Sequence, residues 1–482
     1  MDTNLIATNA GDRGWAAEVR VFQSGNAPAD PDGITALETG IQGADLAAPA
    51  VVLPDFHHKS NMEMPSSIAV ATRETIRPTL SSSSLNCGMA LMALDMNRPL
   101  GPAVEDFYGM VKDRFPFPRK HRRDLTAHDV LRCAVEGGWF AVDRFGLEPA
   151  DLERVEEGGR LDLDPYGGAD RARRELPWLV VQMSRLRFGT VGPSNHFVEL
   201  QEVEEILDPP AASRLGVQRG QVTLQYHGGG GVLATEIGAL FGKRKGAPGP
   251  LRAQMALQRP LFHLKTAGSL SQFRVRKALY MAGGAPPVPR RSAEGERLML
   301  ANALAMNYGF AFRLSTYATF LEFAARAFGA RGGRLIVDSP HNSIYEEEVA
   351  GAPAIVHRHN ACRAFPAGRM NGHPIFGETG QAVLLPGTNR TSSYLCVAED
   401  GAGASLHSAC HGSGETVKEF AKSGLSGLDP LGRSTLRFGY SDGAPETVRH
   451  LDDRGVNEAL GVLVTNRLVR PVARLRPFAV LT

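Results

Sequence analysis

Short apolar runs bounded by polar or glycine-rich stretches recur along the chain, and they show two periods. AVVL (50–53), SIAVAT (67–72), MALMAL (89–94), HFVELQEV (196–203), VTLQYH (222–227), RLIV (334–337), AIVHR (354–358), AVLLP (382–386) and SYLCVA (393–398) predict strands. VEDFYGMVKDRF (104–115), AHDVLRCAVEGGWFAV (127–142), ETVKEFAKS (415–423) and a long segment from about Ser292 to Phe328, stopped by Gly329, predict helices. The two kinds do not alternate as βαβ units would, so the pattern predicts an α+β fold over a doubly wound one. GKRKGAPGP (242–250) and GGAPPVPRRSAEGE (283–296) read as surface loops, and no solenoid or propeller period is present.

Composition narrows the picture little. The chain has 482 residues, with Lys+Arg 53 against Asp+Glu 51 and a formal charge of +2. There is no global basic field, so an anionic ligand must be held locally. FPRKHRRD (117–124) is a local basic cluster, read either as a solvated face or as an RNA backbone contact. Five cysteines without close spacing argue against a disulfide scaffold and for a reducing compartment. MDTNLIATNAGDRG has neither the basic start nor the apolar core of a signal peptide. The most apolar stretch, LAMNYGFAFRLSTYATFLEFAARAFG, is interrupted by Asn307, Arg313 and Glu322 and reads as a buried helix. The expected location is cytoplasmic.

The distinctive polar residues sit at predicted strand ends: LPDFHHK (53–59), LNCG (85–88), PSNHF (193–197), YHGGGG (226–231), DSPHN (338–342) and SACHGSGE (408–415). Taken alone, Cys87 reads as a small buried hydrophobe. Taken together, Cys87, His196, His227 and His341 form a thiolate and imidazole set suited to Zn, Mn, Co or Fe, with Asn195 and Asn342 as orienting neighbours. No CxxC or HExxH spacing ties them locally. His411 has another context, a strand, then HGSG, then a helix start; Gly412 and Gly414 let backbone approach a ligand, and helix N–H groups suit a phosphate. That makes His411 a candidate nucleophile, against the alternative of a tight turn with an incidental histidine. YHGGGG reads as a second phosphate cradle on the same logic.

PDFH (54–57), LNCG, GTVGPSNHF (189–197), YHGGGG, DSPHN, VHRHNACRAFP (356–366), LLPGTNRTSSY (384–394) and SACHGSG resemble, in order, the signature blocks of the RtcB family of GTP-dependent RNA ligases. The likeness runs from about Asp55 to the C-terminus. It implies one large α+β domain over 1–482, with mixed sheets and surrounding helices, in which roughly the first 45 residues are the part it places least. It implies a manganese centre, with Cys87, His227 and His341 matching one ion's ligands and Cys87 with His196 matching part of a second. His411 matches the histidine that becomes guanylylated, Asn195 matches a phosphate contact, and Gly412, Gly414, Pro386, Gly387 and Ser393 fall in the nucleotide-binding blocks. The implied partners are GTP, RNA with 3′-phosphate and 5′-hydroxyl ends and an activating protein, with no membrane.

The departures cluster at ligand positions. Ser84 stands where the family has a metal-binding aspartate, and a serine hydroxyl is a poor ligand for a hard cation; Asp55 is the candidate replacement. Gly231 and Glu415 replace arginines, His359 a lysine and Phe312 an asparagine, and Thr482 stands where a guanine-contacting lysine is usual. Arg358, Arg363 and Arg390 are candidates to restore charge. The expected activity is joining of RNA 3′-phosphate or 2′,3′-cyclic phosphate ends to 5′-hydroxyl ends. The alternatives are a divergent nucleotidyltransferase with another nucleotide or acceptor, a non-catalytic paralogue that binds RNA ends or a protein partner, and a zinc hydrolase with an open metal and a general base for which Asp55 is a candidate.

Overall fold

The computed structural model describes residues 18–99, 101–117, 125–186, 188–192, 196–242, 244–247, 249–281, 286–441 and 443–482. Asn195 and all but Phe117 of the basic cluster lie outside the described residues. Helices and strands are mixed as α+β, in a nine-stranded central sheet and three smaller ones.

The central sheet runs Ala382–Leu385, Ser393–Ala398, Val469–Leu481, Phe197–Ile206, Val222–Gly228, Gly88–Leu94, Gly333–Pro340. Every pair along this path is antiparallel. Gly88–Leu94 is buried along its whole length, which explains why its sequence is a continuous apolar run rather than an alternating one. A five-stranded sheet (Val19–Val21, Ala50–His57, Ser66–Thr72, Ala352–His359, Asn342–Val349) takes over where the central one ends. The chain leaves the central sheet at Pro340, passes through His341 and enters the second sheet at Asn342. A third pairing, Ala361–Arg363 with Ser408–Cys410, brings the segment before His411 against the same junction.

The long helix is Ala293–Phe328, capped by Ser292, whose hydroxyl accepts from the Gly295 amide, and closed by Gly329 in the left-handed region. It is buried through most of its length and packs on Ala127–Glu136, Gly231–Leu240 and Gly101–Arg114. Among the described residues no helix is long and apolar enough to cross a membrane. All five cysteines are free.

Several expectations change. The helix expected over 127–142 is two, Ala127–Glu136 and Gly138–Phe145, because Gly137 takes φ 57° and ψ −130°. A Cβ there would stand 2.2 Å from the Gly159 carbonyl, so the break is set by a close backbone approach. Val469–Leu481 was hidden by Pro471 and Pro477; the sheet takes in both where its pairing shifts register. Asn342–Val349 was hidden by its glutamates, which occupy the less buried half of the strand. The loop expected at 242–250 gives way to a helix from Gly249, and Arg244 within it is buried, donating to the carbonyls of Gly238, Ser81 and Pro78. In the loop expected at 283–296, Val288–Pro289 pairs with Thr75–Ile76 before the long helix begins.

Candidate active site

Sheet register does what local spacing does not. Cys87 immediately precedes the strand Gly88–Leu94, and His196 precedes Phe197–Ile206; His227 lies at the end of Val222–Gly228, and His341 follows Gly333–Pro340. Since neighbouring strands are antiparallel, the starts of two and the ends of the other two fall on one edge. Met89 pairs with His227, Phe197 with His227, and Gly88 with both Gly228 and Pro340. Four residues spread over 255 positions of chain therefore share one corner of the sheet.

The donor atoms of Cys87, His227 and His341, all buried, lie within 4.8 Å of one another. Cys87 Sγ stands 3.3 Å from His227 Nε2, and the Nε2 atoms of His227 and His341 are 2.9 Å apart. His196 approaches through the sulfur, its Nε2 3.5 Å from Sγ. Its other nitrogen, Nδ1, donates to the Val191 carbonyl at 2.9 Å, which leaves the Nε2 lone pair directed at the cluster. Burial pushes His196 down, and burial with the neighbouring His411 and His227 rings pushes His341 further down, so both imidazoles are held neutral. Burial pushes the Cys87 thiol up to about 11, against the opposing pull of Arg313 and a Ser84 hydrogen bond. Imidazoles converging on a buried thiol fit a divalent metal ion; a tetrahedral ion with bonds of about 2.0–2.3 Å sets its donors roughly 3.3–3.6 Å apart, which the Cys87–His227 distance matches and the His227–His341 distance falls short of.

His411 faces this cluster from the third pairing, its ring centroid 4.3 Å from that of His341. The turn after it is anchored by Ser413, whose amide and hydroxyl both donate to the Pro386 carbonyl. This brings the LLPGTNRTSSY loop beside the histidine. Burial pushes His411 down to about 4, so its ring is neutral at pH 7 and carries a nucleophilic lone pair. The helix that follows, Gly414–Lys422, does not offer its first amides freely, as had been expected. Asp55 Oδ1 accepts from the amides of Glu415 and Thr416 at 2.8 and 2.9 Å and from the Thr416 hydroxyl at 3.3 Å. A carboxylate is the favoured occupant of a helix N-terminus, and Asp55 is therefore committed there.

These groups line one cavity of about 760 Å³. Cys87, His196, His227, His341, His411, Gly412, Gly414, Pro386 and Gly387 all face it. Ser393 stands back: it is buried in its strand, where its hydroxyl accepts from the Gly387 amide and supports that loop from behind. The glycines of YHGGGG are not among the lining residues. A Cβ at Gly230 would meet the Leu85 carbonyl at 2.2 Å, and one at Gly231, whose φ is +65°, would meet Phe312 at 3.1 Å. Close packing, not a phosphate cradle, accounts for them, and the departures at 231 and 312 are neighbours in space.

The cavity also contains residues that sequence reasoning left aside. Lys59 and Lys418 both pair with Glu415, at 3.5 and 2.9 Å, and Arg244 lines the opposite serine-rich wall. His359 is buried beside the cavity, with burial pushing it down to about 3. Lys59 belonged to a block already noted, but nothing local marks Arg244. Of the arginines expected to restore charge, Arg358 pairs with Glu347 and Arg363 with Glu157, while Arg390 donates to the Arg449 carbonyl. Thr482 is not among the lining residues; its amide donates to the Phe438 carbonyl.

Comparison with known proteins places the chain in a family. The chain is 27% identical to a tRNA-splicing ligase RtcB of Pyrococcus furiosus over 82% of its own length and 39% of the relative's. It thus spans about two fifths of that protein. A tRNA-splicing ligase RtcB of Thermococcus kodakarensis is 25% identical, with 89% of this chain and 87% of the relative covered. An RNA-splicing ligase RtcB of Mycobacterium tuberculosis is 29% identical, with 73% and 76% covered. The profile of the family described as tRNA-splicing ligase RtcB matches residues 42–482, and the chain belongs to that family.

Proposed function

We propose that this protein is an RNA ligase that joins a 3′-phosphate or 2′,3′-cyclic phosphate end to a 5′-hydroxyl end by way of a nucleotidyl-histidine. The observation that carries the reading is the convergence, in one cavity, of a neutral His411 and a buried Cys87, His227 and His341 donor set. An unprotonated ring nitrogen of His411 attacks the α-phosphorus of GTP; an N–P bond forms and pyrophosphate leaves. An oxygen of the RNA 3′-phosphate then takes the GMP from the histidine. Finally the 5′-hydroxyl attacks the activated 3′-phosphorus, losing its proton, and GMP departs. A cyclic end first opens by hydrolysis to the 3′-phosphate. Cys87, His227 and His341, with His196 at the sulfur, would hold a divalent ion such as Mn²⁺, which would supply charge neutralisation at the phosphates.

Within this reading, Asn195 contacts a phosphate, and Gly412, Gly414, Pro386 and Gly387 let the nucleotide approach the backbone. Ser393 holds the Gly387 loop in place. Residues 1–482 act as one catalytic domain, as strands between Val19 and Leu481 feed sheets that meet at the site. The protein works in the cytoplasm, and an activating protein serves it there.

A second reading, a nucleotidyltransferase with another nucleotide, draws on the two lysines that Glu415 ties up. One experiment addresses both. Purified protein is incubated with each of the four α-labelled nucleoside triphosphates and Mn²⁺, then run under denaturing conditions beside His411→Ala. Acid-labile labelling by GTP that vanishes in the variant is expected. Preference for another triphosphate selects the second reading, and labelling that survives His411→Ala refutes both.

A further inference from the structure

The thiol of Cys87 has two sides, and they are built differently. On one side, His227 and His341 complete a trio of buried donors with the sulfur. On the other stand His196, at 3.5 Å from Sγ, and Ser84. A Cβ placed on Gly229 would lie 3.5 Å from Ser84 Oγ and 3.7 Å from His196 Nε2, so the hydroxyl and the imidazole border the same small space. The Ser84 carbonyl accepts from the Cys87 amide at 3.1 Å, which fixes the serine beside the thiol. Among the described residues, this second side holds a sulfur, one imidazole and a neutral hydroxyl, and no carboxylate.

Asp55 lines the same cavity, and it is engaged. Its Oδ1 takes three donors at the start of the helix Gly414–Lys422, and withdrawing it would leave two helix amides without their acceptor. The other acids lining the cavity are engaged too: Glu415 is paired with Lys59 and Lys418, and Glu63 Oε1 accepts from the Lys245 amide at 2.6 Å. Two divalent ions sharing one sulfur would bring four positive charges to a cluster in which, among the described residues, a single thiolate is the one anionic ligand. Their mutual repulsion in a buried setting is far larger than in water.

We infer that this site takes one divalent cation, on Cys87, His227 and His341, and that the Ser84 hydroxyl and His196 close the other side of the thiolate in place of a second ion. The inference rests on reading the cluster as a cation site. A thiolate with two imidazoles is a soft donor set, which favours Co²⁺ or Zn²⁺ over Mn²⁺ in affinity. Ser84 then decides the count: its neutral hydroxyl stands in the space beside His196 where a second ion would need a carboxylate.

The test is a count of ions. The full-length protein, stripped with chelator, is titrated with Co²⁺ without nucleotide, following thiolate-to-cobalt absorption, and the bound metal is measured after gel filtration. One Co²⁺ per chain is expected for the wild type and for Ser84→Asn, and two for Ser84→Asp, which places a carboxylate in the space beside His196. Two ions on the wild type with affinities within about tenfold would overturn the inference while leaving the cation site standing. No bound ion would overturn both. Should Ser84→Asp fail to fold, the wild-type count decides alone, and a Ser84→Asp that folds yet holds one ion refutes the role given to Ser84.

Discussion

Removing the Arg313 side chain is expected to be among the most damaging single changes in this protein, although Arg313 is not among the residues lining the cavity. It projects from the long helix with zero exposure. Its Nε and Nη2 donate to Asp338 Oδ1 at 2.8 and 2.5 Å, and its Nη1 donates to the Asn86 carbonyl at 2.5 Å. Asn86 precedes Cys87, and Asp338 lies three residues before His341, so one guanidinium ties together two segments that carry metal donors. Arg313→Met keeps most of the volume but leaves the Asp338 carboxylate, itself unexposed, without its cation. Breaking a buried pair this way costs about 3–5 kcal/mol, and an orphaned carbonyl adds roughly 1. The total, about 4–6 kcal/mol, is comparable to the whole stability of a typical domain. Guanidinium denaturation of chelator-treated protein measures it without a contribution from metal binding. Arg313→Met/Asp338→Leu removes the stranded charge and should recover at least about 2 kcal/mol relative to the single variant. Additive costs in the double variant, or a loss below about 1 kcal/mol in Arg313→Met alone, would refute the pairing as the source of stability.

Glu199 is buried and its carboxyl is pushed up to about 8, so the folded state keeps a proton that the unfolded state releases near 4.5. Its burial therefore costs nothing below about pH 4.5, increasingly destabilises the fold as pH rises, and levels off above about 8; near pH 7 the cost is about 3 kcal/mol. Glu199→Gln, which still accepts from Gln201 Nε2, should raise the denaturation midpoint at pH 7 and leave it unchanged at pH 4; an equal gain at both would disprove a neutral carboxyl. Gly231→Arg should destabilise by about 2–4 kcal/mol, through a left-handed backbone and a clash with Phe312, and adding Phe312→Asn should relieve part of that in thermal unfolding. Asp55→Ala should cost about 1–2 kcal/mol through loss of the helix cap and lower the rate of His411 labelling; Asp55→Asn, which keeps an acceptor, should lose less of both, and equal losses would point to the charge instead.

Much of this protein was legible in its sequence because the relevant physics is local. The long helix was bounded correctly by a serine cap and a terminal glycine, both of which act within one turn. The apolar runs at 89–94 and 222–227 announced buried strands, and the polar blocks at strand ends named Cys87, His196, His227, His341 and His411 as chemistry. What stayed hidden depends on contacts between distant segments. The break at Gly137 exists because the Gly159 backbone comes close, and Arg244 is buried because carbonyls from residues 78, 81 and 238 happen to surround it. Asp55 was legible as a candidate metal ligand, but only the packing of its strand under the helix after His411 showed it acting as a cap. The sequence by itself determined which side chains have the donor chemistry for a cation or the lone pair of a nucleophile, since that follows from residue type. Only the tertiary structure decided which of them meet, because antiparallel register puts strand starts and strand ends on one edge and so brings residues hundreds of positions apart within bonding distance.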